Sequence, residues 1–299
     1  KEFPDYFQGG KNMRIQHNIT ALNAHRNLTN NNSSVGKSLE KLSSGYRINR
    51  AGDDAAGLAI SEKMRAQITG LATAQKNAND GISLVQTAEG ALTEVHSMLN
   101  RMVELATQSA NGTYSTANRT EMQKEIKALQ TEIDRIGKTA NFNGTKLFNG
   151  GVAKVTLHVG ESSSVDNQIG VTLKQMSSAQ LIGTITKSDG TQVASKAVST
   201  IDITNVKGAR SAIDIANAAI DLVSSMRSDF GALQNRLEHT INNLGVQTEN
   251  ISSAESRIRD VDMAKEMMTY TKNNILVQSA QAMLAQANQV PQSVLQLLQ

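Results

Sequence analysis

The stretch RAGDDAAGLAIS (50–61) holds the residues that most resemble a metal site. Asp53 and Asp54 are adjacent carboxylates behind Gly52, and carboxylate oxygens are ligands that hard divalent cations prefer. Such a site also needs oxygen ligands from other segments, and no pattern marks them. The residues after Asp54 favour a helix, and an aspartate just before a helix accepts a backbone N–H and complements the helix dipole. We therefore interpret Gly52, Asp53, Asp54 and Gly57 as a helix start or connector, with a metal site as the alternative.

Sequence motifs for other enzymatic chemistry are missing. The five histidines form no zinc-ligand pattern, and the lack of cysteine excludes thiolate ligands, disulfides and cysteine nucleophiles. The chain has no phosphate-binding loop, no dinucleotide-binding glycine motif and no Gly-x-Ser-x-Gly sequence. Its net charge is only +3, and basic residues do not interleave with aromatic ones. We expect no enzymatic activity, no cofactor and no nucleic-acid partner.

The composition indicates that long, slim helices make up much of the fold and position the Gly52–Gly57 segment. Tryptophan is absent, aromatic residues make up 3% of the chain, and there are two prolines. Large aromatics usually anchor globular cores and ligand pockets, whereas abundant Ala, Leu and Gln suit helices with small-residue contacts. No apolar run reaches about 18 residues, so we expect no membrane insertion.

Apolar residues recur every three or four positions from Met13 to about Gly137 and again from Ala209 to Gln299. This spacing predicts helices with one apolar stripe each, close to a coiled-coil seam. An Asn-Gly turn in 111–121 should separate two of the helices. The longest stripe comprises Ile82, Val85, Ala88, Leu92, Val95, Leu99, Met102 and Ala106.

The middle of the chain, about 139–208, has a different texture. Apolar and polar residues alternate at 155–159, 169–173 and 201–203, which predicts strands. Two Asn-Gly pairs in FNGTKLFNGG and the Asp-Gly pair in KSDGTQ predict turns between them. We expect a small β-hairpin region between the two helical parts.

Each end of the chain carries a weak amphipathic strip without a partner in its own half. Helices of this kind are marginal alone in water, so we expect the ends to order by pairing with each other and with neighbouring copies. The strips comprise Ile15, Ile19, Leu22, Val35, Leu39 and Leu42, and then Leu276, Ala280, Met283 or Leu284, and Ala287.

Four segments resemble bacterial flagellin: MRIQHNITALNAHRNL, LSSGYRINRAGDDAAGLAISEKMR, NDGISLVQTAEGALTEV and LAQANQVPQSVLQLL. The match covers 13–149 and about 211–299, and it is strongest to short flagellins of the Bacillus and Clostridium kind. The resemblance implies a mainly α fold, a long antiparallel helical rod or coiled-coil bundle. It implies D0 terminal helices at 13–56 and 260–299, and a D1 part at 57–259 with a β-rich tip. Residues 1–12, which include YFQGG, resemble a tag remnant.

The same resemblance implies a structural subunit that polymerises into an extracellular flagellar filament for motility. It implies export in an unfolded form by the flagellar type III apparatus and a dedicated export chaperone at the C-terminal segment, 260–299. Cap and hook-junction proteins are further implied partners. A hook–filament junction protein or a secreted coiled-coil effector is the alternative. In the family architecture the Gly52–Gly57 segment would connect D0 to D1.

Two further motifs resemble flagellin segments that animal immune receptors recognise. In NRMVELATQ (100–108), the residues Arg101, Glu104, Leu105 and Gln108 match the family motif for Toll-like receptor 5, whereas Asn100 and Val103 depart from it. Glu125 matches another receptor-facing glutamate. The C-terminal VLQLL resembles the apolar motif read by intracellular inflammasome sensors, through Val294, Leu295, Leu297 and Leu298.

Overall fold

The computed structural model describes residues 18–150, 154–186 and 192–297. The expected tag remnant at 1–12 and the Asp-Gly turn of KSDGTQ lie outside these residues. In chain order the elements are α1 (Ile19–Ser44), α2 (Ala55–Ala110), α3 (Thr116–Thr139), β1 (Asn141–Phe142), β2 (Thr145–Lys146), β3 (Lys154–His158), β4 (Gln168–Thr172), β5 (Ile182–Thr186), β6 (Gln192–Ala197), α4 (Val206–Arg259) and α5 (Met263–Leu297). The chain divides into two compact units, residues 1–65 with 251–299 (unit 1) and residues 66–250 (unit 2).

The core of unit 2 follows the predicted helical stripes. Along α2 the positions facing the core alternate in steps of three and four, as in a coiled-coil seam. Of the predicted stripe, Ile82 is half-buried and the others are buried. The same spacing recurs on α4. Ile126 and Ile133 of α3 belong to the same cluster, as do buried residues between α3 and α4 such as Phe148 and Val171. The core positions on α4 are Ala209, Ala212, Ile215, Ala216, Ala219, Val223, Met226, Phe230, Leu237 and Leu244.

At the break between α2 and α3, side chains provide hydrogen-bond partners for the free backbone groups at the two helix ends. Ser115 caps α3, its Oγ accepting the Asn118 N–H at 3.3 Å. Arg119 reaches back to the end of α2 and donates to the carbonyls of Ser109 and Asn111 at 2.9 and 3.1 Å. These carbonyls would otherwise lack an intrahelical partner. The turn that the Asn-Gly pair predicts is therefore confirmed, and α3 begins inside the predicted range.

Three antiparallel strand pairs follow α3 in the part of the chain that the structure describes. Asn143 and Gly144, both with positive φ, form the two-residue turn between β1 and β2. β3 pairs with β4 in a register that places Val155 opposite Val171. β5 pairs with β6. The strands predicted at 155–159 and 169–173 are therefore present, each within one residue of the predicted bounds.

The strand predicted at 201–203 is wrong, and Gln123 of α3 explains why. Its Nε2 donates to the Ile201 carbonyl at 3.0 Å, and its Oε1 accepts the Ile203 N–H at 2.8 Å. Ile201 and Ile203 are buried and Asp202 is exposed, so the apolar alternation reports burial correctly. A side-chain amide has taken the place of a neighbouring strand as the hydrogen-bond partner.

Candidate assembly surface

The connector between α1 and α2 uses its two aspartates for different tasks. Asp54 immediately precedes α2, and its Oδ1 accepts the Gly57 N–H at 2.8 Å as an N-cap. Asp53 binds residues that precede it in the chain. Its Oδ2 accepts the N–H groups of Arg50 at 3.0 Å and Asn49 at 3.2 Å. These backbone hydrogen bonds, first that of Arg50, lower the pKa of Asp53.

The glycines of this connector differ in how strongly the local structure requires them. A Cβ at Gly57 would collide with the Asp54 carboxylate and the Ile48 side chain, so the cap needs glycine there. A Cβ at Gly52 would meet nothing within 4 Å. In the described part of the chain no group of three or more His, Asp or Glu residues is placed to hold a metal ion. The geometry thus gives both aspartates backbone partners within one connector.

Arg259, at the end of α4, joins three segments of unit 1. Its Nη1 donates to Glu62 Oε1 of α2 at 2.6 Å, and its guanidinium carbon lies 4.8 Å from the centroid of the Tyr46 ring. Its backbone carbonyl accepts the Arg47 N–H at 2.6 Å. The Arg259 side chain is only 13% exposed, and its hydrogen bond is the main cause of a lowered Glu62 pKa. We call Tyr46, Glu62 and Arg259 the arginine clamp.

Sequence reasoning missed the arginine clamp because its partners are far apart in the chain. Glu62 and Arg259 are separated by 197 residues, and no local pattern joins them. The only local signal is the two basic residues in the last turn of α4, Arg257 and Arg259, which complement the helix dipole whatever else they contact.

α1 and α5 pack antiparallel along a narrow seam. Asn18 Nδ2 donates to the Ala287 carbonyl at 2.7 Å at one end, and the Gly45 carbonyl accepts the Val261 N–H at 3.0 Å at the other. Buried and half-buried positions alternate in steps of three and four on both helices, as in a coiled coil. On α1 they are Ala21, Ala24, Leu28, Asn31, Val35, Ser38 and Leu42, and on α5 they are Glu266, Tyr270, Asn273, Val277, Ala280, Leu284 and Ala287.

This seam buries little apolar surface. The only fully buried residue of α1 is Ser38, and most seam residues on both helices are small or polar. The predicted terminal strips are confirmed only in part. Ile15 lies outside the described residues, and the predicted residues found in the seam are Val35, Leu42, Ala280, Ala287 and, of the two alternatives Met283 and Leu284, Leu284. Ile19, Leu22, Leu39 and Leu276 are exposed instead, and Val277 takes the seam position beside Leu276. We call the antiparallel pair of α1 and α5 the α1–α5 hairpin, although the two helices are not consecutive in the chain. Little apolar burial is available to stabilise it.

The outer faces of the hairpin carry large apolar side chains. On α1, Ile19, Leu22 and Leu39 are each more than half exposed. A groove of about 420 Å³ runs between the helices, lined in part by Ala24, Met283 and Ala287. Among the α5 side chains that the structure describes, the large apolar ones that are exposed are Met263, Met267, Met268, Ile275, Leu276 and Met283. We call the exposed apolar residues of both helices the hairpin surface.

The residues that resemble a receptor motif lie on α2 and α3 of unit 2, and four of the five are exposed. Arg101 donates to Glu125 Oε1 at 2.8 Å and to Glu104 Oε2 at 2.9 Å, and both bonds raise the pKa of Arg101. Gln108 Nε2 donates to the Tyr114 hydroxyl at 2.9 Å. Leu105, by contrast, is 3% exposed and belongs to the core.

The C-terminal apolar motif lies at the edge of what the structure describes. The α5 backbone is helical through Val294, Leu295 and Leu297, but their side chains lie outside the described residues, as does Leu298 altogether. The motif therefore stays a prediction. No helix among the described residues is long and apolar enough to cross a membrane.

Comparison with known proteins identifies relatives over almost the whole chain. Residues 15–153 match the bacterial flagellin N-terminal helical region, and residues 213–298 match the bacterial flagellin C-terminal helical region. The chain is 52% identical to a flagellin of Bacillus subtilis and 53% identical to one of Halalkalibacterium halodurans, in each case over 96% of this chain and 100% of the relative.

Among solved structures, a flagellar hook-associated protein from Vibrio parahaemolyticus is similar with a TM-score of 0.55. It is 14% identical, and the match covers 70% of this chain and 100% of that chain. At this identity the likeness shows the fold alone, so it does not favour the junction-protein alternative.

The protein consists of long helices that pack along narrow apolar seams, and its α1–α5 hairpin leaves large apolar side chains exposed. These features define a helical structural subunit. The chain belongs to the bacterial flagellin family. It is a structural subunit of the extracellular flagellar filament, and the family supports self-polymerisation into that filament. The family is structural, and the predicted fold class, a mainly α chain with a small β-hairpin region, is confirmed.

Proposed function

We propose that the hairpin surface of α1 and α5 is the face through which copies of the chain join in the filament. The observation that carries this proposal is that α1 has 26 residues and a single buried one, a serine. A helix without buried apolar side chains is marginal in water. Each large apolar side chain that becomes fully buried contributes about 1.5–3 kcal/mol, so contact with a second copy can stabilise what the monomer leaves weak.

The two sides of the hairpin surface differ in chemistry, which supports open-ended growth. Its α1 side presents Ile and Leu, and its α5 side is rich in Met. When one patch meets a different patch on the next copy, the contact is heterologous and repeats without closing. In this proposal the α1 side of one copy packs against the α5 side of another, and a filament results.

Seeded polymerisation tests this proposal. Purified monomer is added to short filament fragments, and elongation is followed by light scattering and electron microscopy. We expect the double variant L22S/L39S to elongate poorly because it removes two apolar contacts from the α1 side. The matched control is V165S, which changes an apolar residue of unit 2 that is 78% exposed, and it should elongate like the unchanged chain.

Two outcomes would count against the proposal. Equal elongation by the L22S/L39S variant and the unchanged chain would show that the hairpin surface is not the contact. Growth that stops after a few copies would favour a junction protein of fixed stoichiometry. Circular dichroism of the variant monomer checks that a loss of elongation does not arise from loss of helix.

The exposed hairpin surface also supports a defined route to assembly. We further propose that the chain is exported unfolded by the flagellar type III apparatus, and that a dedicated chaperone binds the C-terminal segment, 260–299, before export. Cap and hook-junction proteins contact the same surface at the filament ends. If this holds, purified chaperone should inhibit seeded elongation in proportion to its concentration. Elongation that is unaffected by saturating chaperone would contradict the shared surface.

A second role is recognition by Toll-like receptor 5 of animal hosts. It is supported by the charged cluster of Arg101, Glu104 and Glu125, which is exposed beside Gln108. Leu105 cannot offer its side chain, and its part is to anchor this stretch of α2 in the core. The C-terminal Val294–Leu298 motif is proposed as the ligand of inflammasome sensors.

A receptor reporter assay tests the charged cluster. E104A should raise the concentration needed for a half-maximal signal by about tenfold, a typical loss for an interface residue that matters. The control is E121A, which alters another exposed ion pair on α3, between Glu121 and Lys124. An E104A variant that signals like E121A would contradict this placement.

A further inference from the structure

Four of the eleven methionines of the chain are exposed on one helix, α5. Met263, Met267, Met268 and Met283 are between 48% and 68% exposed. The chain also contains an internal reference set, since Met102, Met176 and Met226 are at most 3% exposed. Oxidation of a thioether follows its accessibility, so the two sets should differ in reactivity.

The positions of the exposed methionines place them on the hairpin surface. Met268, Ile275 and Met283 are seven and eight residues apart, which puts them on one face of α5. Met283 also lines the groove between α1 and α5, beside Ala24, Ala280 and Ala287. An oxygen added to its sulfur would therefore enter an apolar surface.

We infer that Met263, Met267, Met268 and Met283 form an oxidation site through which hydrogen peroxide blocks assembly of the unpolymerised subunit. The thioether sulfur attacks one peroxide oxygen, the O–O bond breaks, and the products are a methionine sulfoxide and water. The sulfur is oxidised and the peroxide is reduced, so no further reactant is needed. The consequence for assembly rests on the proposed role of the hairpin surface.

The effect on assembly follows from the change in polarity. A sulfoxide is polar and its oxygen accepts hydrogen bonds, whereas the thioether packs as a flexible apolar group. Burying that oxygen against the Ile and Leu side chains of a second copy would leave it without a donor, which is unfavourable. In a finished filament the same methionines are covered by the neighbouring copy and are protected from peroxide.

The experiment has one measurement that does not depend on assembly. Monomer and filament are treated with dilute hydrogen peroxide, and each methionine-containing peptide is followed by mass spectrometry. In the monomer the four α5 methionines should oxidise first and the three buried methionines last. Equal rates for both sets would overturn the oxidation site, whatever happens in the assembly assay.

The second measurement is seeded elongation of oxidised monomer. We expect its critical concentration to rise by about tenfold or more, the scale set by burying an unpaired polar group. Methionine sulfoxide reductases should restore elongation. A variant with Leu at all four positions should elongate before and after peroxide, whereas a variant with Leu at the three buried positions should stay sensitive.

The outcomes separate this inference from the proposed function. Oxidised monomer that elongates at the normal critical concentration would overturn the block, and so would peroxide sensitivity of the four-Leu variant. If L22S/L39S monomer elongates normally but oxidised monomer does not, the proposed α1 contact fails while the oxidation site stands.

Discussion

Asp54 and Asp53 bind different backbone groups, so their substitutions should have different effects. Asp54 caps α2 through the Gly57 N–H, and loss of such a cap costs about 0.5–2 kcal/mol. We expect D54A to lower the stability of unit 1 by this amount and to increase hydrogen exchange in the first turn of α2. D54S keeps a capping oxygen and should restore most of the loss. Equal stability of D54A and D54S would contradict the capping role.

The Glu62–Arg259 ion pair makes a pH-dependent contribution. Because Arg259 lowers the Glu62 pKa below its ordinary value of 4.5, the stabilisation is complete above pH 4.5. It is lost as the pH falls through the lowered pKa. We expect E62Q to be less stable than the unchanged chain at pH 7, with the difference vanishing in stronger acid. Thermal unfolding of both proteins across this pH range measures the effect.

The pH experiment has a built-in comparison. Asp53 also has a lowered pKa, caused by backbone N–H groups rather than by Arg259. E62Q should therefore retain the acid dependence that Asp53 contributes. A constant difference between E62Q and the unchanged chain at every pH would show that Glu62 acts through packing and not through its charge.

At the scale of residues, the sequence could predict an interaction only where its partners are close together in the chain. The sequence could predict that an aspartate caps α2, because Asp54 and Gly57 are three residues apart, within one helix turn. The sequence left open which aspartate caps, because either can reach a backbone N–H. The arginine clamp was invisible, because it depends on which distant segments the fold brings to the end of α4.

At the scale of elements, Gln123 connects α3 to the irregular segment that contains Ile201 and Ile203. Replacement by Ala would leave one buried carbonyl and one buried N–H without partners, and each such loss costs about 1–3 kcal/mol. We expect Q123A to destabilise unit 2 in urea unfolding. Its neighbour provides the control, since K124A removes only an exposed ion pair and should change stability by less than about 0.5 kcal/mol.

Element boundaries were predictable where one periodicity dominated. The three-and-four spacing predicted α2 and α4, and the alternation predicted β3 and β4, because each pattern maps directly onto one buried face. The same logic failed at 201–203, where alternation reports which side chains are buried but not what binds the backbone. It also failed in part at the chain ends, where each misplaced residue lies near a small or apolar residue that can face the partner helix instead. The predicted strip residues that are exposed are Ile19, Leu22, Leu39 and Leu276.

At the scale of the whole molecule, the two units differ in how they are stabilised. The cluster in unit 2 contains many fully buried Leu, Ile, Val, Met and Phe side chains, drawn from α2, α3, α4 and the segments between them. The helical seam in unit 1 depends on Ala, Asn and Ser positions. Because apolar burial supplies most folding free energy, unit 2 should be the more stable.

This contrast predicts two unfolding steps in the monomer and a change on assembly. Heating should melt α1 and α5 first, and hydrogen exchange at 19–44 and 263–297 should be fast while α2 from 71 to 109 remains protected. In the filament the hairpin surface is covered, so we expect these ranges to become protected from exchange and to resist protease. Calorimetry and exchange on both forms measure this. Equal protection of α1 and α5 in monomer and filament would mean that the hairpin folds without its neighbours.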